Sequence, residues 1–504
     1  MVSTGSTDGP RSTDGPRSID GPRSTDGPGS TDGRAQVVHS LATIVGFLAC
    51  VEVASGVLQG YYTPIYQDIA GHLSIQTASV YWFEAAQLVV SALAVPLLAR
   101  MGDLVGARNV LLLSTAVTAL GSWILAFAPG FTTFLVGFAI QGAYVIWLPM
   151  EVAIVYRRTS GSPQQNRLTR RAAGILVGTL ELSVIVGAVT SGAIVESTSM
   201  TVVLMIPAIV VTLALPVIWY GIERDPVRGE GGIDLGGLAL ISLVIGLVMG
   251  GLIVIRLQGP GHALGWVLIV AGLVTLWPFV RFEQRHPEPL VDVRMFASRL
   301  QWPVQLTAFL FGMSVLGAQI PLSTFARTDP DVAGYGLGAS AGFVSTLIGV
   351  YVVFLAVGAF TLPLTTRVLG ARGALVASAL LVALGYALWL PFHHATTQAL
   401  VNMAIVGLGS GALVAALPAS AAAGAPPART AFATGMTNAT KTMGGAIASA
   451  IFAIALSSTG SLDDPTKGQA PIQGYVVVWS VCAVAALLAA GGLLLMPRVA
   501  TPEP

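Results

Sequence analysis

Pro96-Leu-Leu-Ala-Arg100-Met-Gly102-Asp103-Leu-Val-Gly106-Ala-Arg108 closes one long apolar run and opens the next. A second stretch, Pro363-Leu-Thr-Thr-Arg367-Val-Leu-Gly370-Ala-Arg372, stands between two later apolar runs. It is three residues shorter and lacks the Gly102–Asp103 pair. A Pro-Arg-Gly-Arg turn that recurs so far along the chain marks an internal duplication. What lies around the two copies decides the fold.

From residue 37 onward, runs of about 20 apolar residues, the length that spans a bilayer, alternate with short polar loops. Fourteen helices are read, numbered in chain order: 38–62, 80–99, 109–128, 131–156, 171–195, 200–220, 235–255, 263–281, 302–323, 338–362, 373–391, 396–420, 432–457 and 475–496. The two turns follow helices 2 and 10, an offset of eight rather than the six expected of two adjoining six-helix halves. Helices 7 and 8 are therefore an insertion. The sequence predicts an all-α membrane protein with an N-terminal six-helix half at 37–222 and two inserted helices with flanking loops at 223–301. A C-terminal half follows at 302–497, then a tail at 498–504. Repeats of this kind occur in secondary transporters, with the substrate site between the halves near the bilayer midplane.

Composition agrees. The 504 residues are 54% hydrophobic and 10% charged, with mean hydropathy +0.77, whereas soluble domains carry about 25% charged residues. A net charge of +1 offers no basic field for nucleic acid. Both cysteines, Cys50 and Cys482, sit in apolar runs and read as buried free thiols. Residues 6–34 repeat the hexad Ser-Thr-Asp-Gly-Pro-Arg, with five Asp, four Arg and no aromatic residue. Such a segment cannot bury a core, so 1–36 reads as a disordered tail, and no signal peptide is expected. With that tail in the cytoplasm, 21 of the 25 basic residues fall on the cytoplasmic side. Arg256, Arg327 and Lys467 fall outside, and Lys441 lies within helix 13. The positive-inside rule then places both termini in the cytoplasm of a multi-pass plasma-membrane (cell inner membrane) protein.

The turn Gly102-Asp103-Leu-Val-Gly106-Ala-Arg108 resembles the signature loop of the major facilitator superfamily. Arg281-Phe-Glu-Gln-Arg-His286-Pro-Glu-Pro-Leu-Val-Asp292 resembles the corresponding loop of its fourteen-span drug:proton antiporters. The resemblance covers about residues 37–497. It implies alternating access, with Gly102, Asp103, Gly106 and Arg108 latching one state. Asp103 and Arg108 can pair or cap a neighbouring helix end. Two departures matter. Helix 4 usually carries an Arg three residues before Gln-Gly; here Gln141-Gly142 follows Phe138. That Arg is associated with proton coupling. Helix 5 of exporters usually carries Gly-Pro and a glycine pair; here Gly187-Ala188-Val-Thr-Ser191-Gly192 keeps only the small-residue face.

Ionisable side chains inside spans point to function, because each costs ~2.5–3.5 kcal/mol to insert. At ~1.5 Å rise per residue, Glu52 and Glu181 lie centrally, Glu84 near the outer end and Glu151 near the inner surface. Glu52, Ser55, Gly56, Gln59 and Gly60 share one face of helix 1, read as a cavity lining. Glu181 shares a stripe with Ala188 and Gly192; Glu84 shares one with Gln87 and Ser91. Lys441 and Asn438 lie on one face of helix 13, and Lys441 is placed to pair with Glu181 or Glu52 across the halves. Gln141 completes the cavity set. A glutamate that is alternately dried and wetted can bind and release a proton. Tyr61, Tyr62, Tyr81, Trp82, Tyr144 and Trp147 are candidates for stacking ligands or for sitting at the membrane interface.

No phosphate loop, metal-ligand pattern or nucleophile constellation is present; Gly338-Ala-Ser340-Ala-Gly342 matches GxSxG, but at a helix start with no strand before it. The reading is therefore not an enzyme. It is a monomeric transporter with no cofactor or metal, driven by the proton gradient, exporting small amphipathic drugs or metabolites through a roomy, greasy cavity. Its expected partners are that substrate, protons and the lipid bilayer, not nucleic acid. A nutrient importer on the same fold and a non-transporting sensor are the alternatives.

Overall fold

The computed structural model describes residues 40–159, 164–224, 234–287, 289–424, 430–456 and 470–497. The expected tails at 1–36 and 498–504 lie outside the described residues. So does the side chain of Asp103.

Thirteen helices among the described residues are long and apolar enough to cross a membrane. The tenth runs Ala341–Leu388, 48 residues, about 72 Å at 1.5 Å per residue. That is more than twice the ~30 Å hydrocarbon core. Gly370 breaks it with φ 73° and ψ 164°, so the chain crosses, turns and crosses back. Counted this way there are fourteen crossings. They are α1 Leu41–Tyr61, α2 Tyr81–Val105, α3 Ala107–Ala126, α4 Phe131–Arg158 and α5 Gln165–Ile194. Next come α6 Met200–Gly221, α7 Leu235–Gln258, α8 Ala263–Arg285 and α9 Gln301–Arg327. The last are α10 and α11 (341–369 and 371–388), α12 Thr396–Ala423, α13 Thr430–Leu456 and α14 Ile472–Leu494.

Gly106 turns the chain between α2 and α3 with φ 93° and ψ 140°, close to the values of Gly370. Both lie near a backbone region that only glycine occupies without strain. The two copies of the sequence turn thus have one geometry.

Within the first half α1 packs on α5 and α6, and α4 on α2 and α3. Within the second, α9 packs on α13 and α14, and α10 and α11 on α12. The α1–α5 and α9–α13 crossings are related by the offset of eight, and glycines close both. A Cβ at Gly56 would meet Ser183 and the Leu180 and Val184 backbone, and one at Gly312 would strike the Lys441 backbone. Small residues let helix backbones meet in this way. The halves join through α2 on α13 and α5 on α10, again exchanged by the same offset. The inserted α7 and α8 pack chiefly on each other, and α7 leans on α2 and α13.

The helix ends nearest Leu41, including the two glycine turns, carry Arg100, Arg108, Arg157, Arg158, Arg281, Arg285 and Arg372. This is the basic end of the bundle; the other is the far end. Cys482 is buried, but Cys50 is exposed on the outward face of α1, contrary to the sequence reading. An apolar run does not say which of its faces meets lipid.

Candidate functional site

A cavity of about 140 Å³ lies between the halves. From the first half Gln59, Gly60 and Thr63 of the α1 region and Glu181 of α5 reach it. From the second come Lys441 of α13, Gln319 of α9 and an aromatic wall of Phe311, Tyr351, Tyr386, Trp389 and Trp479. Glu181 and Lys441 each feel the other's charge. They do not form an ion pair: the described ones are Arg158–Glu223, His286–Asp234 and Arg327–Asp68. One acid and one base, from opposite halves, therefore share one cavity without bonding to each other.

The far end of this cavity is closed. Arg327 of α9 forks onto Asp68, in the short helix Tyr66–His72 that follows α1, with Nη2 to Oδ1 at 3.1 Å and Nη1 on Oδ2. Ser323 Oγ donates to the Thr63 carbonyl at 2.5 Å. Tyr81 of α2 and Tyr475 of α14 both bond the Thr324 hydroxyl, at 2.6 and 3.1 Å. Ser345 Oγ of α10 donates to the Ala188 carbonyl of α5 at 2.7 Å. Every described hydrogen bond between the halves lies toward this end. At the basic end two described arginine bonds each stay within one half. Arg108 Nη2 donates to the Trp219 carbonyl at 2.8 Å, and Arg372 Nη1 to the Met496 carbonyl at 3.0 Å.

The Major Facilitator Superfamily model matches residues 48–329, more than half of the chain. The chain belongs to the Major Facilitator Superfamily. Its relatives include a uridine/deoxyuridine transporter of Lactococcus lactis subsp. cremoris, 23% identical over 61% of this chain and 64% of that one. The chain thus spans a little under two thirds of that transporter's length. A cephamycin export protein of Amycolatopsis lactamdurans is 27% identical over 84% of this chain and 86% of its own. Among solved structures, an auto-inhibited POT family peptide transporter superposes with a TM-score of 0.65 at 16% identity, covering 92% of this chain and 98% of that one. Such a likeness speaks for the fold alone. The protein is an all-α, multi-pass membrane protein of major facilitator fold, with two extra helices between its six-helix halves.

In this superfamily member the acids named from sequence separate. Glu181 faces the cavity with Lys441 across the halves, but the ion pair that the sequence suggested is not formed. Glu52 does not line it. Glu52 and Glu151 are fully buried against each other, between α1 and α4, with Ser55 beside them. Glu151 is therefore not at the membrane surface. Seven residues from the end of α4 is still deep here, because α1 and α5 cover it. None of their four oxygens makes a hydrogen bond of good geometry, and the Ser55 hydroxyl is the donor that stands beside Glu52. Two carboxyl groups in that position can bond each other only when one holds a proton. Gln59 Nε2 reaches Ser55 Oγ at 3.4 Å, so a polar row on α1 leads from this pair to the cavity. Gly56 and Gly60, read as cavity lining, mainly seat α1 on α5; only Gly60 also touches the cavity.

Glu84 is buried at the α2–α13 seam and accepts from Ser449 Oγ at 3.5 Å. Gln141 is not at the cavity. It is the hub of a network inside the first half, donating to Tyr62 Oη and Ser122 Oγ, both at 2.9 Å, and accepting from Gln87 at 3.2 Å. Gln87 is thereby held away from the cavity as well. Asn438 is half-buried on α13 and is not among the cavity-lining residues. Gly187 packs on Val57 of α1, and Gly192 against Ala341 and Ser345 of α10, so the helix-5 motif joins both neighbours. In the latch turn, Gly102 lies under Met150 and its carbonyl accepts from Arg157 at 3.3 Å. Arg108 caps the end of α6 and stacks over Trp219 at 5.3 Å.

None of the six aromatic candidates lines the cavity. Tyr61, Tyr62, Tyr81 and Trp147 are buried in their own packing, and neither Trp82 nor Tyr144 reaches the cavity. Tyr61 Oη, for example, is tied to the Val203 carbonyl at 2.7 Å. The cavity's rings come from the second half. Phe138, at the usual Arg position, joins a cluster with Tyr62, Phe83 and Phe134. Ser340 of the GxSxG match caps α10 by accepting from the Phe343 amide. The cavity is also compact rather than roomy. The closure residues Asp68, Ser323, Thr324 and Arg327 were not foreseen. The available signal was Arg327, one of three basic residues on the side that the charge rule leaves nearly bare.

Proposed function

We propose that this protein is a proton-coupled exporter of small amphipathic compounds, working by alternating access as a monomer in the plasma membrane with its basic end and both termini in the cytoplasm. The observation that carries the reading is the Glu181–Lys441 cavity, built from both halves and closed toward the far end by Asp68–Arg327. A site shared by two rigid halves changes its exposure when they rock. In this reading the described state is closed to the outside. The Glu52–Glu151 pair holds the proton, and the Ser55–Gln59 row links it to the cavity. Glu84 at the far seam meets protons when that end opens. No cofactor is required, since the gradient supplies the energy, and no catalytic constellation points to an enzyme. The cephamycin exporter supports this direction.

A second reading is proton-coupled import of a small nutrient. It is favoured by the uridine transporter relative and by Phe138 standing where exporters of this family usually carry Arg. One experiment separates the two. Everted membrane vesicles containing the protein are loaded with a pH-sensitive dye, energised and given a panel of cationic, zwitterionic and neutral amphipathic compounds. Proton release on addition supports antiport and export. No release, in vesicles shown to hold their gradient, together with uptake of uridine by right-side-out vesicles, overturns export.

A further inference from the structure

The cavity's two opposite charges select for a particular kind of ligand. Glu181 stands on α5 of one half and Lys441 on α13 of the other, at positions two residues apart under the eight-helix offset. Both reach the same cavity, and neither is bonded to the other. A monocation entering here answers Glu181 but meets Lys441, and a monoanion does the reverse. A neutral molecule can hydrogen-bond to each charge but supplies a counter-charge to neither. Desolvated groups left without partners are the costliest outcome of binding, and like charges brought together oppose it further. A molecule with a cationic and an anionic group at separate ends leaves nothing unpaired.

Two more features narrow the class. Tyr351, Trp389 and Trp479 give the cavity an aromatic wall for an apolar or aromatic side group, and the amides of Gln59 and Gln319 suit carbonyl and N–H groups. The volume of about 140 Å³ lies below the roughly 300–1,000 Å³ of drug-sized pockets. We infer that the cavity is a binding site for compact zwitterions of amino-acid or dipeptide character with an apolar or aromatic side group. The carboxylate is held by Lys441 and the ammonium by Glu181. This names the substrate class of the site proposed above and rests on that reading only for the claim that the ligand is carried. A ligand held in this way ties the two halves together, so its binding favours the state in which both charges are in reach.

The test uses four forms of one ligand. At about pH 6, below the α-amino range, phenylalanine, its methyl ester, its N-acetyl derivative and its N-acetyl methyl ester are zwitterion, cation, anion and neutral molecule. The same four forms of phenylalanyl-phenylalanine extend the set. Binding of each labelled form to the purified full chain is measured by equilibrium dialysis. At least one zwitterion is expected to bind roughly tenfold or more tightly than any other form in its series, as suits loss of a charged hydrogen bond. Lys441→Gln should erase the difference between acid and ester, and Glu181→Gln that between amine and N-acetyl amide. The double variant Glu181→Lys/Lys441→Glu keeps both charges and should regain the zwitterion preference, which separates a charge effect from misfolding. An ester that binds wild type as well as the zwitterion overturns the inference. So does a zwitterion preference that survives both single variants. If the preferences hold but vesicles show no flux of the zwitterion, the transport reading fails and the site stands.

Discussion

The ionisable pairs Glu52–Glu151 and Glu181–Lys441 have surroundings that give them opposite characters. Glu52 and Glu151 belong to one half, face each other and are sealed, with the Ser55 hydroxyl beside Glu52. Glu181 and Lys441 belong to different halves, face a cavity and do not touch. A pair inside one half keeps its geometry when the halves rock; a pair split between halves cannot. In the proposed cycle the sealed pair takes up and gives up its proton through the Ser55–Gln59 row without a change in its own geometry. The split pair is suited to sensing a ligand and the arrangement of the halves. Depth in the membrane does not distinguish them; which helices cover each side chain does.

The largest effect should come from putting like charges into the cavity. Lys441→Glu places a second acid with Glu181, and such juxtaposition costs several kcal/mol. Flux in proteoliposomes should fall by about 100-fold or more, equivalent to roughly 2.7 kcal/mol, with the variant still folded. Near-normal flux would mean that the two side chains do not share the transport site. At the sealed pair the expected change is of another kind. Glu52→Gln supplies an amide donor to Glu151, so the bond forms without a shared proton. Stability should stay within about 1 kcal/mol, and substrate binding should persist, while proton release per substrate disappears. Glu52→Leu leaves Glu151 alone and should cost about 1–3 kcal/mol. Thermal unfolding read beside the proton-to-substrate ratio checks both, and an unchanged ratio in Glu52→Gln would move the proton elsewhere.

Much of this was legible in the sequence, for identifiable reasons. Hydropathy sets the crossings, because an unsatisfied backbone in lipid is too costly for any alternative. The repeated turn gave the offset of eight, and Gly106 and Gly370 share its geometry. Glu181 and Lys441 were brought together by aligning one half on the other, which works because each half repeats the same packing. The sequence could not show which face of a helix is covered. Glu52 and Gln59 lie on one stripe of α1, yet Glu52 is capped by Glu151 and Gln59 is open to the cavity. Gln141 looked like a cavity residue, but its amide is spent on Tyr62, Ser122 and Gln87. The closure was hidden because Asp68 and Arg327 are 259 residues apart and lie outside any repeated motif.

A smaller effect is expected at that closure. The Asp68–Arg327 pair is partly buried and two-pronged, so it should contribute more than the ~0–1 kcal/mol of an exposed pair. Asp68→Asn should shift the population toward far-end opening by about tenfold, or ~1.4 kcal/mol. A cysteine at Gln319, which lines the cavity, should then label about tenfold faster from the far side, in a chain whose Cys50 and Cys482 are replaced by Ala. A cysteine at Ser55, beside the sealed pair, should keep its rate. Equal acceleration at both would show that the two sites open together and would erase the contrast between them.

The smallest effect on function should come from one of the two glycine turns, and the other turn makes the control. Nothing lies within 4 Å of a Cβ built at Gly370, so Gly370→Ala meets no steric obstacle. Its cost is that of φ 73° and ψ 164° for a residue with a side chain, about 1–3 kcal/mol. It should lower the unfolding temperature and leave flux, proton ratio and cavity labelling unchanged. Gly106→Ala carries a similar backbone cost, but its turn also holds Arg108 on the end of α6 and Gly102 beneath Met150. Turnover should fall there as well as stability. Equal losses of turnover at the two glycines would mean that both copies of the turn act in the transport cycle, and that the Gly102–Asp103 pair, present in only one of them, is not what makes a latch.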